Sequence, residues 1–223
     1  MLKEILHFAV HAPKTLALKR KLSQTELYDT LMLRAEAAGM AMRRASLVEE
    51  LYGRVLEIGC GTGLMFSHYP ERVRLYAIEL GADFLRLAQN RVEKSPFQIS
   101  LVMADGQMLP FATNAFDYVI IALVLCSVSS VERVLTEVKR VLRRDGELRL
   151  IEHVRSEHRF NGKLMDLLNP LWLALNKQGC NMNRKTESLL EQNGFKIKES
   201  KPFKTFTPGM PTFPKRWIRA VPA

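Results

Sequence analysis

Val55-Leu56-Glu57-Ile58-Gly59-Cys60-Gly61-Thr62-Gly63 is the stretch on which the reading of this chain turns. Four residues of strand character, three apolar and one acidic, run directly into glycines at 59, 61 and 63. An apolar strand followed by a glycine-rich turn is how an α/β domain brings backbone N–H groups close to a ligand at a helix N-terminus. A dinucleotide fold asks for G-x-G-x-x-G, and its third glycine would fall at Leu64. The G-K-[ST] ending of a phosphate-binding P-loop is missing as well. Glu57, set just before the glycines, repels a pyrophosphate and suits a cationic ligand.

The strands that follow end in a consistent way. Arg74-Leu75-Tyr76-Ala77-Ile78-Glu79 reads as a second strand ending in an acid, 22 residues after Glu57. A carboxylate at such a tip can accept both hydroxyls of a ribose, unless it is simply a solvated loop acid. A third strand, Ile99 to Ala104, ends at Asp105-Gly106-Gln107-Met108-Leu109-Pro110-Phe111. Asp105 also reads as a turn residue that bonds its own backbone. Phe116 to Val128 is apolar enough for a central parallel strand covered on both faces. Ser130 is a helix N-cap. The helix after it places Val131, Val134, Leu135, Val138, Val141 and Leu142 on one stripe. Asp145-Gly146 then reads as a turn into a fifth strand, Glu147 to His153.

Taken in order, these residues resemble class I S-adenosylmethionine-dependent methyltransferases, whose ligand carries an amino group and a sulfonium. The resemblance implies an α/β, Rossmann-like domain with a mostly parallel seven-stranded sheet and helices on both faces. It implies S-adenosylmethionine as cofactor, with contacts from Glu57, Gly59, Cys60 and Gly61, from Glu79 and Leu80, from Asp105, Gly106 and Gln107, and from Ala122. An Asp in the place of Asp105 accepts a bond from the adenine amino group in that family. Its A-D-(x)3-L-P-F pattern is similar to Ala104 to Phe111, with Leu80 and Met108 as walls for the ring.

A narrower resemblance rests on Leu123 to Val128, Glu152-His153-Val154 and Gly179-Cys180-Asn181-(x)2-Arg184, supported by Met42-Arg43-Arg44 and His68-Tyr69-Pro70. These are similar to a methyltransferase-like subgroup that includes membrane-associated alkyl-thiol methyltransferases. The likeness spans about residues 25 to 200 and departs from the animal members in having no long apolar N-terminal anchor.

Composition sets outer bounds. The length of 223 residues suits one domain with insertions, and a hydrophobic fraction of 47% supplies its core. Cys60, Cys126 and Cys180 are odd in number and widely spaced, which argues for a reducing, cytoplasmic compartment and against a disulfide framework. Their spacing is not that of a zinc site, so no metal is expected. Nor does it look like that of the arsenite methyltransferases. No apolar window is long enough to cross a membrane, and Met1 to Val10 lacks the marks of a signal peptide.

The net charge of +10 favours anionic partners. Its local clusters are Lys19-Arg20-Lys21, Arg43-Arg44, Arg143-Arg144 and Lys215-Arg216. Between Lys201 and Arg219 basic residues interleave with Phe203, Phe206, Phe213 and Trp217. That pattern fits peripheral contact with an anionic membrane, or two final strands with their aromatics in the core. Nucleic acid is the weaker partner, because Ala122-Leu123-Val124-Leu125 stands where an N-P-P-Y motif would be.

Residues 1 to 50 read as a helical segment, which the resemblance implies covers the cofactor cleft, and residues 51 to 223 as the cofactor-binding domain. Glu26 to Met42 has helical spacing with an end near Gly39. Tyr28 either reaches the cofactor or is a core residue. Arg155 to Asn183 breaks the β-α alternation and carries more apolar residues, Leu164 to Leu175, than one packed face needs. An insertion at the C-terminal end of a strand lies over the ligand crevice, so 155–183 reads as a substrate lid with an apolar underside, or else as a helix over the sheet edge. Pro170 should prevent a single smooth helix there. A helix Lys185 to Gln192, a strand Phe195 to Ser200 and an edge strand near Trp217 to Val221 complete the chain.

Methyl transfer from a sulfonium needs alignment, exclusion of water and, for some nucleophiles, a base. His153, at the end of the fifth strand, is the candidate for that base or for a substrate contact, or else a structural residue of the loop. Glu152 beside it should face the other way. Cys126 and Cys180 are candidates for a direct role or small buried hydrophobes. The expected activity is methyl transfer to a small apolar or amphiphilic acceptor, a thiol by resemblance. A lipid amine or quinone carbon is the alternative, with nucleic-acid methylation or non-catalytic cofactor binding as readings of another class.

Overall fold

The computed structural model describes Leu18, residues 21–176 and residues 178–223. The opening segment Met1 to Val10 and the basic pair Lys19-Arg20 lie outside the described residues.

Seven strands form one sheet in the order β3-β2-β1-β4-β5-β7-β6. They are β1 (Gly53–Ile58), β2 (Val73–Glu79), β3 (Ile99–Met103), β4 (Phe116–Ala122), β5 (Leu142–His153), β6 (Phe195–Phe203) and β7 (Lys215–Pro222). The first five run parallel, and β7 enters antiparallel between β5 and β6. The strand order reverses between β1 and β4, which opens a crevice beyond their C-terminal ends.

The central strands show why both faces are apolar. Leu56 and Ile58 pack into one core with Val119 and Ile121, while Val55 and Ile120 point into the other. Helices α4 (Val131–Val141) and α6 (Thr186–Gln192) cover the first face. Helices α2 (Ala41–Val48) and α3 (Ala82–Val92) cover the second. In α4 the i, i+3, i+4 spacing buries all of Val131, Val134, Leu135, Val138 and Val141. Ser130 caps it, its Oγ accepting the Arg133 N–H at 3.2 Å.

Two expectations need correction. Asp145-Gly146 makes no turn between separate elements: β5 already begins at Leu142, and the residues between its pairing with Phe116 and with Tyr118 form an irregularity inside the strand. The first helix, α1 (Gln24–Ala35), runs on through Glu36–Met40 and breaks at Gly39 as its sequence implied: Gly39 takes φ +107°, which is not helical, and the chain kinks there into α2.

Pro170 sits inside one continuous helix, α5 (Arg159–Leu175). The proline forfeits the bond to the Asp166 carbonyl, and Asp166 lies on the exposed side, where water can replace it. Buried Asn169 then pins the helix through Asn181 Oδ1 at 3.1 Å and the Met182 N–H at 3.0 Å. Along α5, Leu167, Leu168, Leu171 and Leu175 are exposed.

Of the two readings of the basic-aromatic tail, sheet strands are what the chain adopts. Phe203 and Trp217 are buried on β6 and β7, and Lys215 and much of Arg216 are enclosed, leaving Phe206 as the exposed aromatic. Arg44 pairs with Glu36, Arg143 with Asp117, and Arg216 with Glu157 and Glu187. Much of the clustered positive charge therefore has an internal partner.

Candidate active site

The glycine turn after β1 is shaped by contacts that exclude side chains. Gly59 has φ +68°, and a Cβ there would stand 2.5 Å from Val124 Cγ2. Gly61 has φ +57° and leaves its open side toward the Tyr28 ring, 4.0 Å from a built Cβ. The Gly61 N–H donates to Glu79 Oε2 at 2.9 Å, and the Leu80 and Gly81 N–H groups donate to Glu79 Oε1, each at 2.9 Å. Glu79 thus ties the tip of β2 to the glycine turn and fixes the start of α3.

A small closed cavity lies under this turn, lined by Tyr28, Arg44, Glu57, Gly59, Gly61 and Ala122 among others. Glu57 is buried, and its carboxylate accepts one side-chain hydrogen bond, from Tyr69 Oη at 3.1 Å. Burial pushes its pKa up to about 7, partly offset by Tyr69 and Arg44. Thr62 Oγ1, on the same lining, is buried with no hydrogen-bond partner among the described residues. An acid short of compensating charge and an unpaired hydroxyl are the complement of a polar, cationic ligand. Thr62 was not singled out from sequence; being the x of G-x-G-x-G, it gave no signal there.

The N-terminal helix closes this cavity. Tyr28 is half-buried against it, edge-on to Phe84 at 5.3 Å, and desolvation raises its pKa to about 12. Arg91 on α3 bonds the Thr62 carbonyl at 2.7 Å and both oxygens of Asp29 on α1, which clamps the helix over the turn. Cys60 is buried within the turn, and burial raises its thiol pKa.

The expected adenine end lies at the neighbouring strand tip. The Ala104 N–H donates to the Glu79 carbonyl at 3.1 Å, which sets Asp105 beside Glu79. Asp105 Oδ1 accepts the Gln107 backbone N–H at 2.8 Å, so the turn role is realised, and Gln107 Nε2 also reaches its carboxylate. A Cβ on Gly106 would meet Ile58 at 2.9 Å. Leu80 and Met108 are exposed, 64% and 78%, and stand as uncovered apolar walls on either side of this edge.

His153 is placed elsewhere, at the end of β5, with its ring edge-on to Phe213 at 5.6 Å. Its Nδ1 is 3.3 Å from Cys180 Sγ. Cys126, Cys180 and His153, whose spacing suggested no metal site, place their ligand atoms within 4.8 Å of one another. The Cys180 thiol is held down, at about 5, by a hydrogen bond from the Cys126 thiol and then by His153. Cys126 is pushed up by that same bond and by burial.

Glu152, which sequence reading turned away from the crevice, organises it from within. It is fully buried, and it accepts the N–H groups of Val124 and Leu125 at 2.7 Å and of Cys126 at 3.2 Å. Desolvation raises its pKa to about 8 against the lowering effect of those three bonds. Arg184 holds the same loop from the other side, donating to the Leu125 and Val128 carbonyls at 2.6 Å. The motif segments around Leu123, Glu152, Asn181 and Arg184 therefore meet at one loop. An acid directly after the apolar pair Leu150-Ile151, one residue before a strand end, was the signal available in sequence for Glu152.

Residues 56–150 match the family model of the methyltransferase domain. Over 147 residues the chain is 37% identical to the human thiol S-methyltransferase TMT1A, covering 63% of this chain and 59% of that protein. It is 34% identical over 113 residues to phosphatidylethanolamine N-methyltransferase of Cereibacter sphaeroides, covering 50% and 56%. The chain thus spans under two thirds of the length of these relatives. The fold matches that of a SAM-dependent methyltransferase of Thermotoga maritima with a TM-score of 0.66 at 20% identity, over 88% of this chain and 95% of that one.

Proposed function

We propose that this chain, whose residues 56–150 belong to the methyltransferase domain family, transfers a methyl group from S-adenosylmethionine to the sulfur of a small apolar or amphiphilic thiol. The observation that carries the cofactor is the Glu79 carboxylate, fixed by three backbone N–H groups between the glycine turn and the exposed walls Leu80 and Met108. In this reading Glu79 takes the ribose hydroxyls, Asp105 with Gly106 and Gln107 takes the adenine edge, and Glu57 with Gly59, Cys60, Gly61 and Ala122 lines the amino-acid end. The cofactor supplies an activated methyl group on sulfur. The protein's own part is to bind and align, to exclude water under α1, and to present the acceptor from the loop of Val124, Leu125 and Cys126.

The thiol acceptor rests on the likeness to TMT1A and on the cluster of His153, Cys126 and Cys180 at the mouth of that loop. His153 Nδ1 and Cys180 Sγ, 3.3 Å apart, stand where an acceptor sulfur would arrive. A lipid-like acceptor, in keeping with the phosphatidylethanolamine relative, is favoured by the outward leucines of α5 beside the same mouth. That face also suits shallow, peripheral contact with a membrane, since no helix among the described residues is long and apolar enough to cross one. The three free cysteines suit a reducing, cytoplasmic setting.

Titration calorimetry tests the cofactor. S-adenosylhomocysteine should bind and NAD should not, and Glu79→Ala should weaken binding by about 1–3 kcal/mol, as ligand hydroxyls lose a charged acceptor. Transfer of labelled methyl to a series of alkanethiols tests the acceptor. Activity should rise with chain length, by at most about 0.8 kcal/mol per buried methylene. Preference for short charged acceptors removes the apolar reading.

A further inference from the structure

We infer that Cys126 Sγ, Cys180 Sγ and His153 Nδ1 form a zinc site whose fourth position takes the acceptor thiol as a thiolate; this rests on the thiol reading above. The three ligands come from three separate places in the chain: the loop after β4, the last residue of β5, and the segment after α5. Their donor atoms lie within 4.8 Å of one another, with Nδ1 to Cys180 Sγ at 3.3 Å. A tetrahedral zinc with Zn–S of about 2.3 Å and Zn–N of about 2.0 Å needs ligand edges of roughly 3.5–3.8 Å. The 3.3 Å edge and the 4.8 Å bound on the other edges bracket that geometry.

The surroundings hold the ligands as a metal site requires. Glu152 fixes the Cys126 backbone N–H, and Asn181 Nδ2 donates to the Cys126 carbonyl at 3.1 Å. Trp172 Nε1 and Asn176 Nδ2 both donate to the Cys180 carbonyl at 2.8 Å. Trp172 and Phe213, edge-on at 5.0 Å, wall off the His153 side with apolar rings. Two sulfurs and one imidazole are a borderline-soft set that selects zinc over magnesium or calcium. Three protein ligands leave a position open, as in catalytic rather than structural zinc sites. The location is also right for chemistry. Val124, two residues before Cys126 on the same loop, packs on the glycine turn, where a Cβ on Gly59 would stand 2.5 Å from Val124 Cγ2. When an acceptor R–SH occupies the fourth position, its sulfur bonds the metal and its proton leaves to solvent; no electrons are exchanged.

The test is Co²⁺ substitution in full-length protein reduced with a phosphine and freed of metal. Tetrahedral thiolate coordination should give a charge-transfer band and intense d–d bands that saturate at stoichiometric Co²⁺, and Zn²⁺ should displace them. Cys126→Ser, Cys180→Ser and His153→Ala should each raise the Co²⁺ dissociation constant by at least about a hundredfold, the upper end of what losing an outer-shell partner costs. Cys60→Ser should leave it unchanged. Melting curves identify any variant that fails to fold, and the half-buried Cys180 and His153 positions keep the test open if Cys126→Ser does. Adding an alkanethiol should shift the d–d bands. No tetrahedral spectrum, or a Cys126–Cys180 disulfide whose reduction restores no metal uptake, overturns the site. Bands that an alkanethiol leaves unmoved overturn the open position. Because these readouts use neither cofactor nor turnover, they fail independently of the methyl-transfer reading.

Discussion

Replacing Glu152 should cost more stability than any other single polar substitution at the site. Its carboxylate is fully buried and is the acceptor for three successive N–H groups, at 2.7, 2.7 and 3.2 Å. Glu152→Ala orphans all three. At roughly 1–3 kcal/mol for each buried unsatisfied donor, partly relieved by no longer burying an acid, the loss should be about 3–6 kcal/mol. Glu152→Gln keeps one oxygen. Oε1 serves both short bonds, so the amide must turn its NH₂ toward the Cys126 N–H, the longest of the three, and one donor is stranded for about 1–3 kcal/mol. Urea unfolding at neutral pH should therefore rank wild type above Gln above Ala, with unchanged m-values. The loop these bonds hold carries Val124, which packs where a Cβ on Gly59 would stand, and Cys126. Methyl transfer should accordingly fall further than cofactor affinity in the Gln variant. An Ala variant within about 1 kcal/mol of wild type would refute the reasoning, since the loop would then be held by Arg184 and packing alone.

Three further outcomes follow from the geometry. Gly59→Ala forces a side chain into φ +68° and to 2.5 Å from Val124, so it should destabilise by at least about 1–2 kcal/mol in thermal melts and reduce cofactor binding. Arg91→Ala releases both Asp29 and the Thr62 carbonyl, so hydrogen exchange in residues 24–35 should accelerate while the β4 and β5 amides keep their protection. Stability should fall as pH rises from about 5 to about 8, because Glu57 and Glu152 have folded pKa values raised to about 7 and about 8 above an ordinary 4.5. Their contribution is complete below the unfolded value and is lost as pH climbs through the folded ones, at up to about 1.4 kcal/mol per pH unit for each group. Glu57→Gln should flatten that slope in urea midpoints taken across the range, and a stability rising over the same window would contradict the buried acids.

The sequence by itself determined the sheet, the glycine turn and the acidic strand tips, because all are written in local pattern. A buried parallel strand must be apolar on both faces, so Val55 to Ile58 and Val119 to Ile121 are legible without their neighbours. Glycines that must bend to positive φ announce the turn at 59 and 61, and acids at strand tips announce Glu79 and Asp105. The α4 stripe was legible for the same reason, a period matched to one face.

What the tertiary structure alone decided depends on which strand ends meet. Cys126, His153 and Cys180 are each 27 residues apart, a spacing without local meaning. They converge because β4 lies beside β5 and because the segment after α5 returns across their ends, with the Asn181 N–H donating to the Cys126 carbonyl at 2.8 Å. Glu152 looked like the outward neighbour of His153, since alternation fixes only that the two faces differ. Pairing decided that its face is the one closed by the β4 loop. Pro170 was read as a break because a proline costs a helical bond. The fold permits it, since that turn of α5 faces solvent while Asn169 and Trp172 anchor the other side.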